Sequence, residues 1–174
     1  MAQRMRRRRE RGAGFALIDL MVTLFVIAIM AAVLFPQIED EGRLRLTAAS
    51  RLITADIELA QVMTISNPAE PIIVKFEPGG TYWLAPAGDP DTPIVRSGAI
   101  QPYRVVFGEG RGRSGRNVTL VLTDLENNIL SFNEQGGVVA LNLQPEIKLV
   151  YGTEWVKLTL STMTGTITET AGSG

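Results

Sequence analysis

Residues 14–39 read Gly14-Phe15-Ala16-Leu17-Ile18-Asp19-Leu20 and then MVTLFVIAIMAAVLFPQIE, an apolar run entered from a leader carrying Arg4, Arg6, Arg7, Arg8, Arg9 and Arg11. From Phe15 to Phe35 the run has 21 residues and one charge, Asp19. As a helix rising ~1.5 Å per residue it would be roughly 31 Å long, enough for the ~30 Å hydrocarbon core of a bilayer. The arginines precede the run and no comparable cluster follows it, which predicts a cytoplasmic N-terminus and the chain beyond Gln37 on the other side. A carboxylate buried near the basic end of such a run needs a partner or water. A cleaved secretory signal shares this order of charge and hydropathy, but its apolar core is usually shorter. No Ala-x-Ala pattern occurs among Ala28, Ala31 and Ala32.

The string GFALIDLMVTLFVIAIMAAVLFPQIE resembles the prepilin-type segment of type IV pilins and type II secretion pseudopilins. In that family a dedicated aspartyl peptidase cuts after the glycine and methylates the new N-terminus. The resemblance implies cleavage between Gly14 and Phe15, with Phe15 becoming the N-methylated first residue. Asp19 aligns with the acidic fifth mature residue of the family, which is usually glutamate, and Pro36 with its helix-bending proline. Asp19 would then pair with the N-terminal amine of a neighbouring subunit, offsetting the burial of both charges. The partners implied are other pilins or pseudopilins in a helical filament, the prepilin peptidase/methyltransferase, a membrane and exported proteins. The location implied is a single-pass protein of the bacterial inner (cytoplasmic) membrane, N-terminus cytoplasmic and head periplasmic, passing into the pseudopilus or pilus.

Without residues 1–14, which carry six of the 17 basic side chains and one of the 18 acidic ones, 11 basic and 17 acidic side chains remain, a net −6. The leader conceals an acidic chain. There is no cysteine and no histidine, so disulfides, thiol metal sites and histidine-based catalysis are all excluded.

Beyond Pro36 the helical period resumes at Ile38, Leu44 or Leu46, Ala49, Leu52, Ile53, Ile57, Ala60 and Met63, with Glu39, Asp40, Glu41, Arg43, Arg45, Arg51 and Glu58 on the other face. Asn67-Pro68 ends it. From Phe15 to Ser66 an unbroken helix would run roughly 78 Å. Pro36 removes a backbone donor and should bend it, and Gly42 offers a second weak point. After Pro71 the pattern becomes short β-rich runs at 72–76, 81–85, 104–107, 118–123, 129–132, 138–143, 147–151, 155–160 and 166–168. Pro78-Gly79-Gly80, Gly88-Asp89-Pro90, Glu126-Asn127-Asn128, Gln135-Gly136-Gly137 and Thr164-Gly165 supply the reversals.

The expected fold class is α+β: a long N-terminal helix, half membrane-spanning and half amphipathic, packed on a C-terminal antiparallel sheet domain as in pilins. The expected parts are a basic leader at 1–14, a transmembrane or filament-core helix at 15–36, an amphipathic half-helix at 37–67 and a β-rich head at 68–174. The head is also similar to GspH/FimT-type minor pseudopilins. LITADIELAQVMTISNP leads to IIVKFE and TYWLA, then LSFNEQGGVVAL and VKLTLSTMTGTI, with Phe132, Gly136, Gly137 and Gly165 at the family's late strand and turns.

Arg111, Arg113 and Arg116, in GEGRGRSGR, form a basic loop that could touch nucleic-acid phosphates. A solvated loop or a contact between subunits is the preferred reading, and nucleic acid is not an expected partner. Asp89 and Asp91, and Asp124 and Glu126, lack the ligand density of a calcium loop, so no metal or cofactor is expected. Tyr82, Trp83, Tyr103 and Trp155 suit a sugar platform less well than core or cross-strand packing. No catalytic spacing emerges. The expectation is therefore a structural filament subunit and not an enzyme, with a pilus-associated binding module for DNA uptake or adhesion, or a membrane-anchored enzyme, as alternatives.

Overall fold

The computed structural model describes the backbone of residues 12–34, 41–140 and 144–174, with side chains at 17–32 and throughout the two later stretches. Pro36 lies outside the described residues, and at Gly14 and Phe15 only the backbone is described. The chain divides into two compact units, 1–41 and 42–174.

Two expectations are corrected. Among the described residues the long helix laid on a sheet is instead two shorter helices, α1 (Gly12–Leu34) and α2 (Glu41–Ser66), followed by nine strands in two antiparallel sheets. The fold is a β-rich domain in which α2 is one core element, because the helix's apolar stripe is used up by contacts to both sheets. The single-pass inner-membrane location is also overturned: among the described residues no helix is long and apolar enough to cross a membrane.

The strands are β1 (Ile72–Glu77), β2 (Thr81–Pro86), β3 (Arg104–Val106), β4 (Thr119–Thr123), β5 (Ile129–Phe132), β6 (Val138–Val139), β7 (Glu146–Tyr151), β8 (Glu154–Leu160) and β9 (Ile167–Ser173). One sheet has the order β3-β2-β1-β5-β6 and the other β4-β7-β8-β9. β1 and β2 form a hairpin in which Phe76 faces Tyr82 and Val74 faces Leu84. Gly79 and Gly80 both turn it in the left-handed region, at φ 94° and 87°, where a side chain would be strained. β9 pairs with β8 over seven residues, from Glu154↔Ser173 to Leu160↔Ile167, and runs well past the three residues its sequence pattern predicts.

Alternation within the strands sorts each face. Val74, Phe76, Tyr82, Leu84 and Leu130 from the first sheet, and Ile147, Leu149, Val156, Leu158 and Leu160 from the second, share one core with Leu46, Ala49, Ile53, Ile57 and Ala60 of α2. The other face of the first sheet carries a small cluster of Ile73, Trp83 and Ala85, with Ile129 against it. Of the two leucines competing for the helix stripe, Leu46 is buried and Leu44 exposed.

Glycine is required where α2 begins. A Cβ on Gly42 would lie 2.8 Å from Glu154 Oε2 and 2.9 Å from the Tyr151 ring, both near the turn between β7 and β8. Gly42 is therefore a close-packing contact and not the weak point its residue type suggests.

Candidate functional site: the Asp56 cluster and the apolar helix

Asp56 occupies the buried stripe of α2, between Ile53 and Ala60, and only 2 % of it is exposed. An isolated carboxylate there would be costly, so its oxygens need donors. Tyr82 of β2 donates its hydroxyl to Oδ2 at 2.7 Å, and Tyr103, just before β3, donates to Oδ1 at 2.5 Å. Arg111 Nη2 donates to the same Oδ1 at 3.2 Å, forming an ion pair. Three donors from three separate segments thus converge on one helix carboxylate.

The loop GEGRGRSGR builds the fourth corner. Residues Gly110–Gly115 form a 3-10 turn that folds down on the end of β3. A Cβ at Gly112 would collide with the Val106 carbonyl, and one at Gly115 would meet the Phe107 ring at 2.9 Å. Without side chains at those two places the turn can lie flat, which carries Arg111 inward to Asp56. Its guanidinium also stacks 4.7 Å from the centre of the Tyr103 ring. Phe107 meets Tyr82 edge-on at 6.2 Å, and Phe76 lies 5.8 Å from Tyr82, closing the apolar side of the cluster.

The electrostatics follow from burial. Tyr82 is held far above the ordinary tyrosine range, first by burial and then by the charge of Asp56 and the hydrogen bond to it. Tyr103 is raised for the same leading reason, burial, with the Asp56 hydrogen bond adding to it. Burial alone would lower Arg111, but Tyr103 and the charge of Asp56 outweigh it and leave the guanidinium raised. All three groups keep the protonation state that suits the cluster. The cluster presents neutral phenols and a carboxyl group whose two oxygens both accept hydrogen bonds. The arrangement joins α2, β2, β3 and the turn.

A second polar tie lies further along the helix. Gln61 Nε2 donates to the Gly136 carbonyl at 2.7 Å and to the Thr164 carbonyl at 3.2 Å. One side chain thereby holds the turn before β6 and the turn before β9 against α2. Gly136 and Gly165 adopt φ of 85° and 68°, and a Cβ on Gly165 would run into the Gly136 carbonyl and Gln61.

The sequence candidates separate under this geometry. Arg111 pairs with Asp56 while half of its side chain stays exposed; Arg113 and Arg116 are exposed as well, and the Arg116 carbonyl accepts from Arg45 at 3.2 Å. Asp91 pairs with Lys75 at 2.6 Å, and the Pro90 carbonyl accepts from Trp83 Nε1 at 2.9 Å. Asp124 stands in the left-handed region at φ 58°, in the turn after β4. Among the described residues no three His, Cys, Asp or Glu side chains gather as a metal site. Trp83 is buried and flanked by Lys75 and Arg104, while Lys148 lies 4.8 Å from the Trp155 ring centre. Tyr82 and Tyr103 share the Asp56 cluster, whereas Trp83 and Trp155 each lie in different surroundings, so the four form no common platform.

Asp56 itself goes unnoticed in the sequence pattern, though a signal was there. It lies three residues after Ile53 and four before Ala60, so the buried period runs through an acid.

The other candidate surface is α1. Its large apolar side chains from Leu17 to Met30 are between 47 and 66 % exposed, on every side of the helix. Asp19 is exposed among them, and its carbonyl accepts from the Thr23 hydroxyl at 2.8 Å. Compared with family models, curated proteins and solved structures, the chain matches none.

Proposed function

We propose that the chain is a structural subunit of a type II secretion pseudopilus or type IV pilus, a minor pseudopilin serving protein secretion. It is cut between Gly14 and Phe15 and N-methylated on Phe15. The observation that carries this reading is α1, whose apolar side chains are exposed all round the helix while residues 42–174 possess a core of their own. Each large apolar side chain fully buried contributes ~1.5–3 kcal/mol, so such a helix is driven to pack with others like it. In a filament core those others are the same helices of neighbouring subunits, and Asp19 pairs with the Phe15 amine of one of them. On this reading the chain is not an enzyme and takes no cofactor. Its partners are other pilins or pseudopilins, the prepilin peptidase and the exported proteins that its β-rich domain meets.

The test is the mass of the mature N-terminus after coexpression with a prepilin peptidase. A chain beginning at Phe15 and carrying one added methyl supports the reading, and an intact leader overturns it. Asp19→Ala should still be cleaved but fail to enter filaments, and normal co-assembly of that variant would remove the role given to Asp19.

A further inference from the structure

The face of α2 turned away from both sheets carries a second pattern. Leu44, Ala48, Arg51, Ala55, Glu58, Val62 and Ile65 follow one another at alternating steps of four and three residues. That is the spacing of a seam that packs against another helix. Leu44, Val62 and Ile65 are 68, 57 and 45 % exposed, and Arg51, Ala55 and Glu58 are exposed with them. Among the described residues neither Arg51 nor Glu58 forms an ion pair. Separated by seven positions, they stand about 10 Å apart along the helix, too far to pair with each other.

We propose that this seam is a docking surface for α2 of a second copy of the chain, in antiparallel orientation about a two-fold axis at Ala55. The charges select this occupant. Turned end for end about Ala55, the seam sets Arg51 opposite Glu58 of the second copy and Glu58 opposite its Arg51. The same rotation sets Leu44 beside Ile65 and Ala48 beside Val62. Ala55 meets Ala55 at the centre, where small side chains let helix axes approach to ~8 Å. An interface of this kind is self-complementary, as a two-fold requires. Parallel in-register pairing would put Arg51 against Arg51 and Glu58 against Glu58. A parallel stagger of seven residues makes one ion pair but sets Leu44 against Arg51 and Ile65 against Glu58. The inference is independent of the filament reading, since it concerns α2 alone, and the N-terminal mass neither supports nor removes it.

The absence of native cysteine makes the test direct. Full-length chain carrying Ala55→Cys, kept in a mild detergent that covers the apolar helix, is oxidised and run without reductant, with Ser97→Cys on an exposed loop as control. A disulfide needs Cα atoms within ~7 Å, which the two-fold supplies at position 55. The expected result is a covalent dimer from Ala55→Cys and none above background from Ser97→Cys. A mixture of Leu44→Cys and Ile65→Cys chains should give the mixed dimer. Arg51→Glu or Glu58→Arg added to Ala55→Cys should each abolish the crosslink by opposing like charges, and the two reversals together should restore it. Crosslinking of Ala55→Cys no better than the control, single reversals without effect, or Leu44→Cys joining chiefly to itself would each overturn the proposal.

Discussion

The Tyr103 hydroxyl donates to Asp56 Oδ1 at 2.5 Å across 47 residues of chain, and this contact pins the segment entering β3 to the middle of α2. Around it Tyr82 and Arg111 complete the coordination of one carboxylate. The first consequence concerns Asp56. Asp56→Ala removes the acceptor of all three donors and leaves the Tyr82 and Tyr103 hydroxyls without their partner, which should cost roughly 2–4 kcal/mol of stability. Asp56→Asn keeps the shape and one acceptor oxygen and should cost less. Urea unfolding of the three proteins checks the order, and an unchanged midpoint for Asp56→Ala would show that the cluster holds nothing together.

Tyr82 sets an alkaline limit. Its folded pKa lies above its unfolded value, so both states hold the proton at neutral pH and the stabilisation is complete below about pH 10. Above that the unfolded chain releases the proton while the folded one retains it, and stability falls. For this one group the fall is about 1.4 kcal/mol per pH unit. Tyr82→Phe should be less stable at pH 7, because Asp56 Oδ2 loses its donor, yet should decline less steeply between pH 10 and 12. Equal slopes for the two proteins would contradict the assignment.

Two glycines with similar backbone angles should respond differently to alanine. Gly165, at φ 68°, has the Gly136 carbonyl and Gln61 where a Cβ would go, whereas Gly98, at φ 82°, has open space. Gly98→Ala should carry only the left-handed penalty of roughly 1–2 kcal/mol. Gly165→Ala should exceed it, because the turn before β9 must move off the helix. Thermal unfolding of both variants measures the difference, and equal losses would mean that the crowding at Gly165 relaxes freely.

Gln61→Ala should cost about 1–2 kcal/mol by releasing two turns from one donor group. Its signature is local. Amide hydrogen exchange should accelerate around residues 135–137 and 164–166 and stay slow in β1 and β2. Uniform acceleration throughout the domain would argue against a latch at this place.

Strand positions were legible because punctuation was chemical. The left-handed glycines 79, 80, 136 and 165 stand at turns marked by their residue type, and Asn127 and Asn128 take φ of 54° and 58° where an asparagine pair announces a reversal. Strand order was not legible. That β1 sits between β2 and β5 depends on which faces pack over α2, and no local pattern encodes it. The same limit applies to the site. Arg111 reads as one of three solvent-facing arginines in a glycine-rich loop, and its partner Asp56 lies 55 residues away. The glycines 112 and 115, which look like flexibility, are what let the turn settle on β3. The long-helix expectation failed for a related reason. An amphipathic period in α2 reports that one face is buried, but not that two sheets share the burial.

Ser50 of α2 reaches Glu169 of β9, 119 residues later, at 3.4 Å. On a ribosome adding about 5–20 residues per second, roughly 6–24 s pass between the synthesis of these two partners. Tyr82 follows Asp56 by only 26 residues, so the β1–β2 hairpin can cover its side of the helix within the first few seconds. The side meant for the second sheet waits far longer. The nascent chain therefore passes through an interval in which the side of α2 meant for the second sheet is made before the strands that cover it.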